Sequence, residues 1–314
     1  MQEELTVNAD SYGDIEAAAL LAGAVISNGS GDTDRIALID HGHTSVVAIV
    51  DRRLVLKFSR SPYAAIRNEF ELFVLNELGS MQTCRTPQGL GSDPESSWTA
   101  LSFLGGENMS YSELRAMPES ARKALGASIG KFTSELHRSL DTEMINKKRC
   151  ELKLDELDEA PWPVHFERTI RDGSFTAEQQ RDAAMQVSSA WSTQILNQST
   201  EVVIHDDLHA DNLLLSDNNL VGVLDFGEVT IGSPEQELRH TFWISEDVAH
   251  AAISTYEACS GVQLNKELVR LWAVMQELAA FSEYSQKRQH DHPSFLRAKS
   301  GLKRLMPEAD WDSV

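Results

Sequence analysis

Residues 202–225 constrain the fold of this chain more than any other stretch. Val202-Val203-Ile204 is a short β-branched run that leads into a polar segment, and Leu213-Leu214-Leu215 follows that segment. A stretch of Ser, Asp and Asn then has the composition of a tight turn, and a second apolar run extends from Leu220 to Leu224. This order predicts a hairpin whose free ends bring the polar segment close to the triplet Asp225-Phe226-Gly227.

Three side chains at those free ends suit one kind of chemistry. Asp207 is followed five residues later by Asn212, and Asp225 ends the next apolar run. Phosphoryl transfer from a nucleotide uses one carboxylate to orient the attacking hydroxyl, and an amide and a second carboxylate to hold Mg²⁺ against the phosphates. The spacing predicts that Asp207 faces the acceptor and that Asn212 and Asp225 bind Mg²⁺. A polar turn between core strands is the alternative for Asp-Phe-Gly alone, and the upstream Asp and Asn favour the phosphotransfer site.

The order of these motifs resembles a known family. His205-Asp206-Asp207-Leu208-His209-Ala210-Asp211-Asn212 followed by Asp-Phe-Gly is similar to the aminoglycoside phosphotransferase and choline kinase superfamily, the small-molecule relatives of protein kinases. Members usually carry glycine where this chain has Asp206, and frequently also where it has Asp211. The resemblance covers roughly residues 35–245, and its segment order is closest to the aminoglycoside 2″-phosphotransferases and their relatives.

The resemblance implies an α+β, bilobal, protein-kinase-like fold. Its N-lobe, residues 1–103, would be a small antiparallel β-sheet with one helix, and its C-lobe, residues 104–314, would be larger and mainly helical. The hydrophobic pattern agrees, since short strands and one helix alternate over residues 36–103 and helical patterns dominate from 110 onward, broken only by the 202–225 hairpin. The predicted helices are 14–26, 63–78, 118–140, 177–197, 247–259 and 265–288.

Lys57 interrupts the apolar run Leu54-Val55-Leu56-Lys57-Phe58. A cation inside such a strand is unfavourable without a partner, although a surface lysine is the alternative. The resemblance implies that Lys57 grips the α- and β-phosphates and that an acid on the next helix pairs with it. Glu69 and Glu71 both qualify, and Glu71 is preferred because apolar residues three, four and seven positions later place it on the buried helix face.

Two further segments would bind the nucleotide. The resemblance identifies Ala100–Gly106 as the hinge, where the backbone of Ser102 and Leu104 would contact the purine of ATP or GTP. It identifies residues 39–47 as the loop over the phosphates, with the hydroxyls of Thr44 and Ser45 and nearby amides as donors. An ordinary turn is the alternative for this loop, and the residues do not distinguish ATP from GTP.

The charge of the chain bears on its partners. The formal net charge is −20, which excludes a protein that binds the nucleic-acid backbone and favours a cationic, polyamine-like small molecule. Carboxylates form charge-assisted hydrogen bonds with amino groups. Asp206, Asp211 and Glu228 crowd the predicted catalytic loop, and Glu237 takes the place of the family's Asp that braces that loop. These four acids are the predicted contacts of the acceptor. The acids of 151–159 belong either to the acceptor site or to a solvated helix face.

Composition also predicts the cellular environment of the protein. The three cysteines are far apart, so a disulfide framework or a zinc site is not expected and a reducing cytoplasm is the default. No run reaches the roughly 20 apolar residues that cross a bilayer, so no membrane association is expected. The amino end is acidic and does not resemble a signal peptide. The oligomeric state is not predicted.

These features together predict a phosphotransferase that moves the γ-phosphoryl of ATP or GTP to a hydroxyl of a cationic small molecule. An aminoglycoside antibiotic is the first candidate, which would make the protein a resistance enzyme. The alternatives are a kinase of another acceptor, such as a macrolide, choline, homoserine or a sugar, and a pseudokinase that binds nucleotide without turnover.

Overall fold

The computed structural model describes residues 36–40, 44–93, 98–157, 162–171, 175, 177–196 and 200–313. It has the predicted α+β architecture, with an antiparallel sheet of five strands near the amino end and a mainly helical carboxyl-terminal part. The predicted helix at 14–26 lies outside the described residues.

The chain divides into two compact units. The first consists of the described residues of Met1–Ser110, Glu135–Leu157 and Val203–Ile231, and the second of those of Tyr111–Ser134, Asp158–Val202 and Gly232–Val314. All residues predicted to act on the nucleotide or to transfer the phosphoryl group lie in the first unit. The lobe boundary at residue 103 stays a prediction.

The first unit contains the five-stranded sheet, in the order β1-β2-β3-β5-β4 with all neighbours antiparallel. Its strands are β1 (Ile36–Ile39), β2 (Ser45–Val50), β3 (Leu54–Ser59), β4 (Gly89–Asp93) and β5 (Trp98–Ser102). Side chains alternate between the faces of a strand. In β3, Leu54, Leu56 and Phe58 are therefore buried in the core of the sheet, while Lys57 lies on the opposite face.

Helix α1, Pro62–Leu78, follows β3 and confirms the predicted helix at 63–78. It begins where the Ser61 hydroxyl accepts the Ala64 N–H at 3.2 Å, with Pro62 in the first turn. It ends at Gly79, whose positive φ of 63° suits glycine and whose N–H donates to the Leu75 carbonyl. Both ends are therefore specified by local residues.

The predicted hairpin is present as β7 (Leu213–Ser216) and β8 (Asn219–Val223), and its free end is closed by the Leu224 N–H, which donates to the Asn212 carbonyl at 2.9 Å. However, the prediction that only the 202–225 hairpin interrupts the helices is wrong. Strand β6 (Val202–Ile204) pairs with a further strand, β9 (Thr230–Gly232). A strand of three residues is too short to show an alternating pattern.

The second unit is helical, and two of its helices approach closely at Gly130, where a Cβ atom would lie 2.1 Å from the Ala252 carbonyl oxygen. Trp191 and Trp272 are buried and pack edge to face, with 5.0 Å between their ring centroids. None of the described helices is long and apolar enough to cross a membrane.

The helices from residue 111 to the end of the described chain belong to both units, and α4 and α5 lie in the first. They are α2 (Tyr111–Ala116), α3 (Glu119–Ser139), α4 (Thr142–Glu151), α5 (Leu154–Leu157), α6 (Trp162–Arg171), α7 (Glu178–Ile195), α8 (Pro234–Glu237), α9 (Thr241–Ile244), α10 (Glu246–Ser260), α11 (Lys266–Gln286) and α12 (Pro293–Leu305).

Candidate active site

His205 follows β6 and anchors the loop that carries Asp207. Its ring is buried, packs against Phe226 with 4.7 Å between centroids, and places Nε2 2.9 Å from the Leu224 carbonyl oxygen. Because a carbonyl only accepts, Nε2 carries the proton, and Nδ1 accepts the Asp207 N–H at 3.3 Å. The imidazole thus joins the loop to the residue before Asp225.

Asp206 has a left-handed backbone, with φ of 64°. This conformation is unfavourable for a residue with a side chain and easy for glycine, which is the residue that the resemblance implies at this position. Only 5% of Asp206 is exposed. This burial does not support the direct acceptor contact predicted from the sequence, because an acceptor needs accessible surface.

Asp207 and Asn212 are brought together by the turn Ala210–Asn212. The Asn212 Nδ2 donates to the carbonyl oxygen of Asp207 at 2.8 Å and to its Oδ2 at 3.0 Å. Within the described residues, no donor bonds to the Asn212 Oδ1. The amide nitrogen therefore positions Asp207, and the amide oxygen stays available to a ligand.

Lys57 joins strand β3 to helix α1 and to Asp225. Its Nζ lies 2.7 Å from Glu71 Oε2 and 3.0 Å from Asp225 Oδ1, and the Glu71 Oε1 accepts the Phe226 N–H at 3.1 Å. Glu69 instead pairs with Lys148 at 3.1 Å on the surface. The structure thus has the Lys57–Glu71 pair that the helix pattern favours.

These contacts set the charge states of the two groups that would meet a nucleotide. Burial opposes the charge of Lys57, but the carboxylates of Glu71 and Asp225 outweigh it and raise the pKa of Lys57 above its ordinary value. Desolvation opposes the charge of Asp225, but Lys57 outweighs it and lowers the pKa of that carboxyl. At neutral pH the site therefore presents a cation beside an anion.

The donor set fits Mg²⁺. The Asp225 side chain is 48% exposed and ionised, and Asn212 offers an unused amide oxygen, so both supply the hard oxygen atoms that Mg²⁺ prefers. In the described part of the chain, no group of three or more His, Cys, Asp or Glu side chains forms a metal site by itself. Asn212 and Asp225 would therefore hold Mg²⁺ together with the phosphates.

The loop predicted to cover the phosphates lies between β1 and β2, and residues 41–43 of it lie outside the described residues. Thr44 is exposed, and its carbonyl accepts the Arg60 N–H at 2.9 Å. Ser45 is buried, and its hydroxyl accepts from Asn68 Nδ2 at 3.1 Å. The structure does not support the predicted phosphate contact of the Ser45 hydroxyl, because that group faces the protein interior.

The predicted hinge segment leaves a backbone N–H group without an acceptor in the described part of the chain. The Ser102 N–H donates to the Gln88 carbonyl at 2.9 Å and is therefore already used. The Leu104 N–H has no acceptor within the described residues. A backbone N–H that is left unused in this segment suits an acceptor atom on the edge of a purine base.

Asn108 is a residue that sequence reasoning missed. Its Nδ2 donates to the carbonyls of Asp211 at 2.6 Å and Leu213 at 3.1 Å, on either side of Asn212. A polar residue two positions beyond a glycine pair gives no sequence signal for this contact.

The predicted acceptor-binding acids differ in their exposure. Asp211 is 79% exposed, and Glu228 is half exposed and lies 3.3 Å from Arg67. Glu237 is only 1% exposed. The predicted direct contact of Glu237 with the acceptor is not supported, since a buried carboxylate is not accessible to an acceptor. Asp211 and Glu228 are the acids that remain accessible.

Comparisons with known proteins identify the fold and the family of this chain. A model of the phosphotransferase enzyme family, APH, matches residues 35–280. The GDP complex of wild-type aminoglycoside 2'-phosphotransferase-IIIa has a TM-score of 0.70 at 16% identity, over 93% of this chain and 98% of that chain. The streptomycin-ATP-APH(2")-IIa ternary complex has a TM-score of 0.60 at 15% identity, over 90% and 95%. Macrolide 2'-phosphotransferase MphH from Brachybacterium faecium has a TM-score of 0.65 at 18% identity, over 93% and 99%.

A comparison with curated protein sequences finds no match. At these identities the structural likenesses show the fold, and they confirm the kinase-like fold that the motifs imply. The family model extends over most of the chain, including the sheet, the hinge, the catalytic loop and the Asp-Phe-Gly triplet. The chain therefore belongs to the phosphotransferase enzyme family.

Proposed function

We propose that this protein transfers the γ-phosphoryl group of ATP or GTP to a hydroxyl of an amine-bearing small molecule, with aminoglycosides as the first candidates. One observation carries the proposal. Lys57, Glu71 and Asp225 form a continuous chain of contacts, and Asn212 bonds to Asp207, all within one compact unit. Phosphoryl transfer needs little else from a protein, because positioning and charge supply most of the catalysis.

Each residue has a distinct part in the reaction. Asp207, held by the Asn212 amide, orients the acceptor hydroxyl and takes its proton while the hydroxyl oxygen bonds to the γ-phosphorus and the bond to the bridging oxygen breaks. Lys57, kept charged and held in place by Glu71, stabilises the negative phosphate oxygens. When bound by Asn212 and Asp225, Mg²⁺ would neutralise charge on the phosphates.

The acceptor is inferred from charge. Asp211 and Glu228 expose carboxylates in the first unit, and the whole chain carries a net charge of −20. Amino groups of an acceptor would form charge-assisted hydrogen bonds with such carboxylates. The similar structure solved with streptomycin and ATP supports an aminoglycoside acceptor. The likeness to a macrolide 2'-phosphotransferase favours macrolides as the second acceptor class.

The donor remains ATP or GTP. The Ser102 carbonyl and Leu104 N–H are backbone groups, so no side chain there selects one purine over the other. The similar structures include one with GDP and one with ATP. We therefore propose that both nucleotides bind.

We expect Mg²⁺-dependent transfer of phosphate to at least one aminoglycoside, and the test is a panel of acceptors. The purified chain is incubated with [γ-³²P]ATP or GTP and with aminoglycosides, macrolides, choline, homoserine and sugars, and labelled product is measured. Thermal melting with each ligand gives an independent readout, because a ligand that binds the folded state stabilises it. Labelled macrolide with no labelled aminoglycoside would replace the first acceptor class with the second. A tight nucleotide complex with no transfer to any acceptor would instead indicate a nucleotide-binding protein.

A further inference from the structure

We propose that Arg67 and Arg149 are positioning residues, which hold the backbone of residues 226–229 and thereby keep Asp225 in the conformation that binds magnesium. This inference rests on the proposed function, because it assigns Asp225 to the metal. Neither arginine belongs to the motifs of the catalytic loop, the lysine strand or the hinge. Both lie in the first unit, as does the segment they contact.

Asp225 needs such support because of its backbone. Its φ and ψ angles are 62° and 75°, in the left-handed region that a residue with a Cβ atom rarely adopts. A strained residue keeps its conformation only when surrounding contacts determine it. The contacts of the following residues therefore decide whether the Asp225 carboxylate stays where Asn212 can share a ligand with it.

Arg67 supplies one of these contacts. It lies one turn before Glu71 on α1, so the two side chains share a helix face. Its Nη1 donates to the Gly227 carbonyl at 3.0 Å and lies 3.3 Å from a carboxylate oxygen of Glu228, and its Nε donates to the Tyr63 hydroxyl at 2.9 Å. Glu71 accepts the Phe226 N–H from the same face. One face of α1 thus holds two successive residues after Asp225.

Arg149 supplies the second contact, from α4. Its Nη1 donates to the Val229 carbonyl at 2.9 Å, and its guanidinium is oriented by Asp155, whose Oδ1 accepts from Nη2 at 2.8 Å and from Nε at 3.2 Å. The guanidinium also lies 5.8 Å from the Phe70 ring centroid. Asp155 therefore orients Arg149, which gives one member of the acidic 151–159 cluster a role other than binding the acceptor.

Both arginines are buried, and each uses its planar guanidinium to reach a backbone carbonyl and a side chain at once. The side chain is the Tyr63 hydroxyl for Arg67 and the Asp155 carboxylate for Arg149. Lysine would keep the charge but carries a single ammonium group on a flexible stem, so it could not make both contacts in fixed directions. Replacement by lysine is therefore the informative change. It preserves the charge of the site and removes the geometric constraint on residues 226–229.

The test measures the coupling between Mg²⁺ and nucleotide without any turnover. The dissociation constant of ADP is measured by calorimetry with and without Mg²⁺ for the full chain, for Arg67→Lys and for Arg149→Lys. We expect Mg²⁺ to strengthen ADP binding in the wild type, and we call the ratio of the dissociation constants without and with Mg²⁺ the Mg²⁺ enhancement. This ratio should fall about tenfold in both variants, as is usual when a partner of a metal ligand is lost. ADP affinity without Mg²⁺ is expected to stay unchanged within error.

Arg122→Lys is the matched control. Arg122 also donates to two backbone carbonyls, of Arg115 and Met117, and to the carboxylate of Asp247, but all of these lie in the second unit. Its replacement should leave the Mg²⁺ enhancement as in the wild type. If either lysine variant fails to fold, Tyr63→Phe removes a partner that orients Arg67 and should lower the enhancement by a smaller factor.

The outcomes separate the two proposals. An enhancement equal to that of the wild type in Arg67→Lys and Arg149→Lys would overturn the positioning role, as would a parallel loss of ADP affinity without Mg²⁺, which indicates a general structural role. A wild-type protein that binds ADP equally with and without Mg²⁺ would instead contradict the metal site, and with it the proposed function.

Discussion

Asp207→Ala is expected to reduce phosphoryl transfer by about 10²–10⁴-fold, the range for loss of a positioned general base. The reason is that the proposed function assigns to Asp207, held by the Asn212 amide, the role of orienting and deprotonating the acceptor hydroxyl. In the proposed function Lys57 and Asp225 hold the nucleotide, and their mutual contact does not involve Asp207, so the dissociation constant of the nucleotide should not change. Steady-state kinetics on the acceptor found in the panel and ADP calorimetry measure the two effects separately.

Asp207→Asn and Asp217→Asn form a matched pair for the same test. Asn keeps the shape of Asp207 and removes its basicity, so it should be as inactive as Ala. Asp217 lies in the exposed hairpin turn with a φ of 49°, which Asn tolerates, so Asp217→Asn should keep wild-type turnover. Near wild-type turnover in Asp207→Ala would refute the proposed mechanism. Loss of nucleotide binding in the same variant would show that Asp207 also shapes the nucleotide site.

Lys57→Met is expected to lower the free energy of unfolding by about 3–5 kcal/mol, the usual result of leaving a buried charge without its partner. Glu71 is almost fully buried, and Lys57 is the only cation bonded to it within the described residues. Asp225 would lose the same cation but is half exposed, so water can solvate it. Urea unfolding of the full chain measures the change, and phosphoryl transfer should fall as well.

A double-mutant cycle separates charge from packing. Adding Glu71→Gln to Lys57→Met removes the stranded charge and keeps an acceptor for the Phe226 N–H, so the double variant should be more stable than Lys57→Met alone. Lys123→Met is the control, since Lys123 lies 2.6 Å from Glu119 but both side chains are exposed. It should leave the unfolding free energy unchanged within error. A double variant no more stable than Lys57→Met would show that the lysine acts through packing and not through charge.

The catalytic loop could be predicted because its geometry is local. Asp207, Asn212 and Asp225 lie within one stretch whose apolar runs and turn residues specify a hairpin, so their spacing in sequence determines which groups meet. Glu71 could be distinguished from Glu69 for a similar reason, because the periodicity of a helix decides which side chain faces inward. In both cases, neighbouring residues contain the information.

The remaining contacts could not be predicted, since they join a side chain to a distant backbone. Arg67 reaches the carbonyl of a residue 160 positions later, and Arg149 one that is 80 positions later. Every residue has a carbonyl, so such a contact leaves no pattern in the sequence. The burial of Asp206 and the interior position of the Ser45 hydroxyl were missed because composition shows which charges and hydroxyls are near a site but not which way they face.

A crystal structure of the protein with Mg²⁺ and a non-hydrolysable ATP or GTP analogue would show whether the candidate site binds nucleotide. We expect one nucleotide whose metal is bound by the Asp225 carboxylate and the Asn212 amide oxygen at about 2.0–2.1 Å, the distance typical of Mg²⁺. Lys57 should contact the phosphates, and Asp207 should lie beside the γ-phosphate without binding the metal. A nucleotide bound elsewhere, or Asp207, Asn212 and Asp225 directed away from it, would contradict the proposed mechanism.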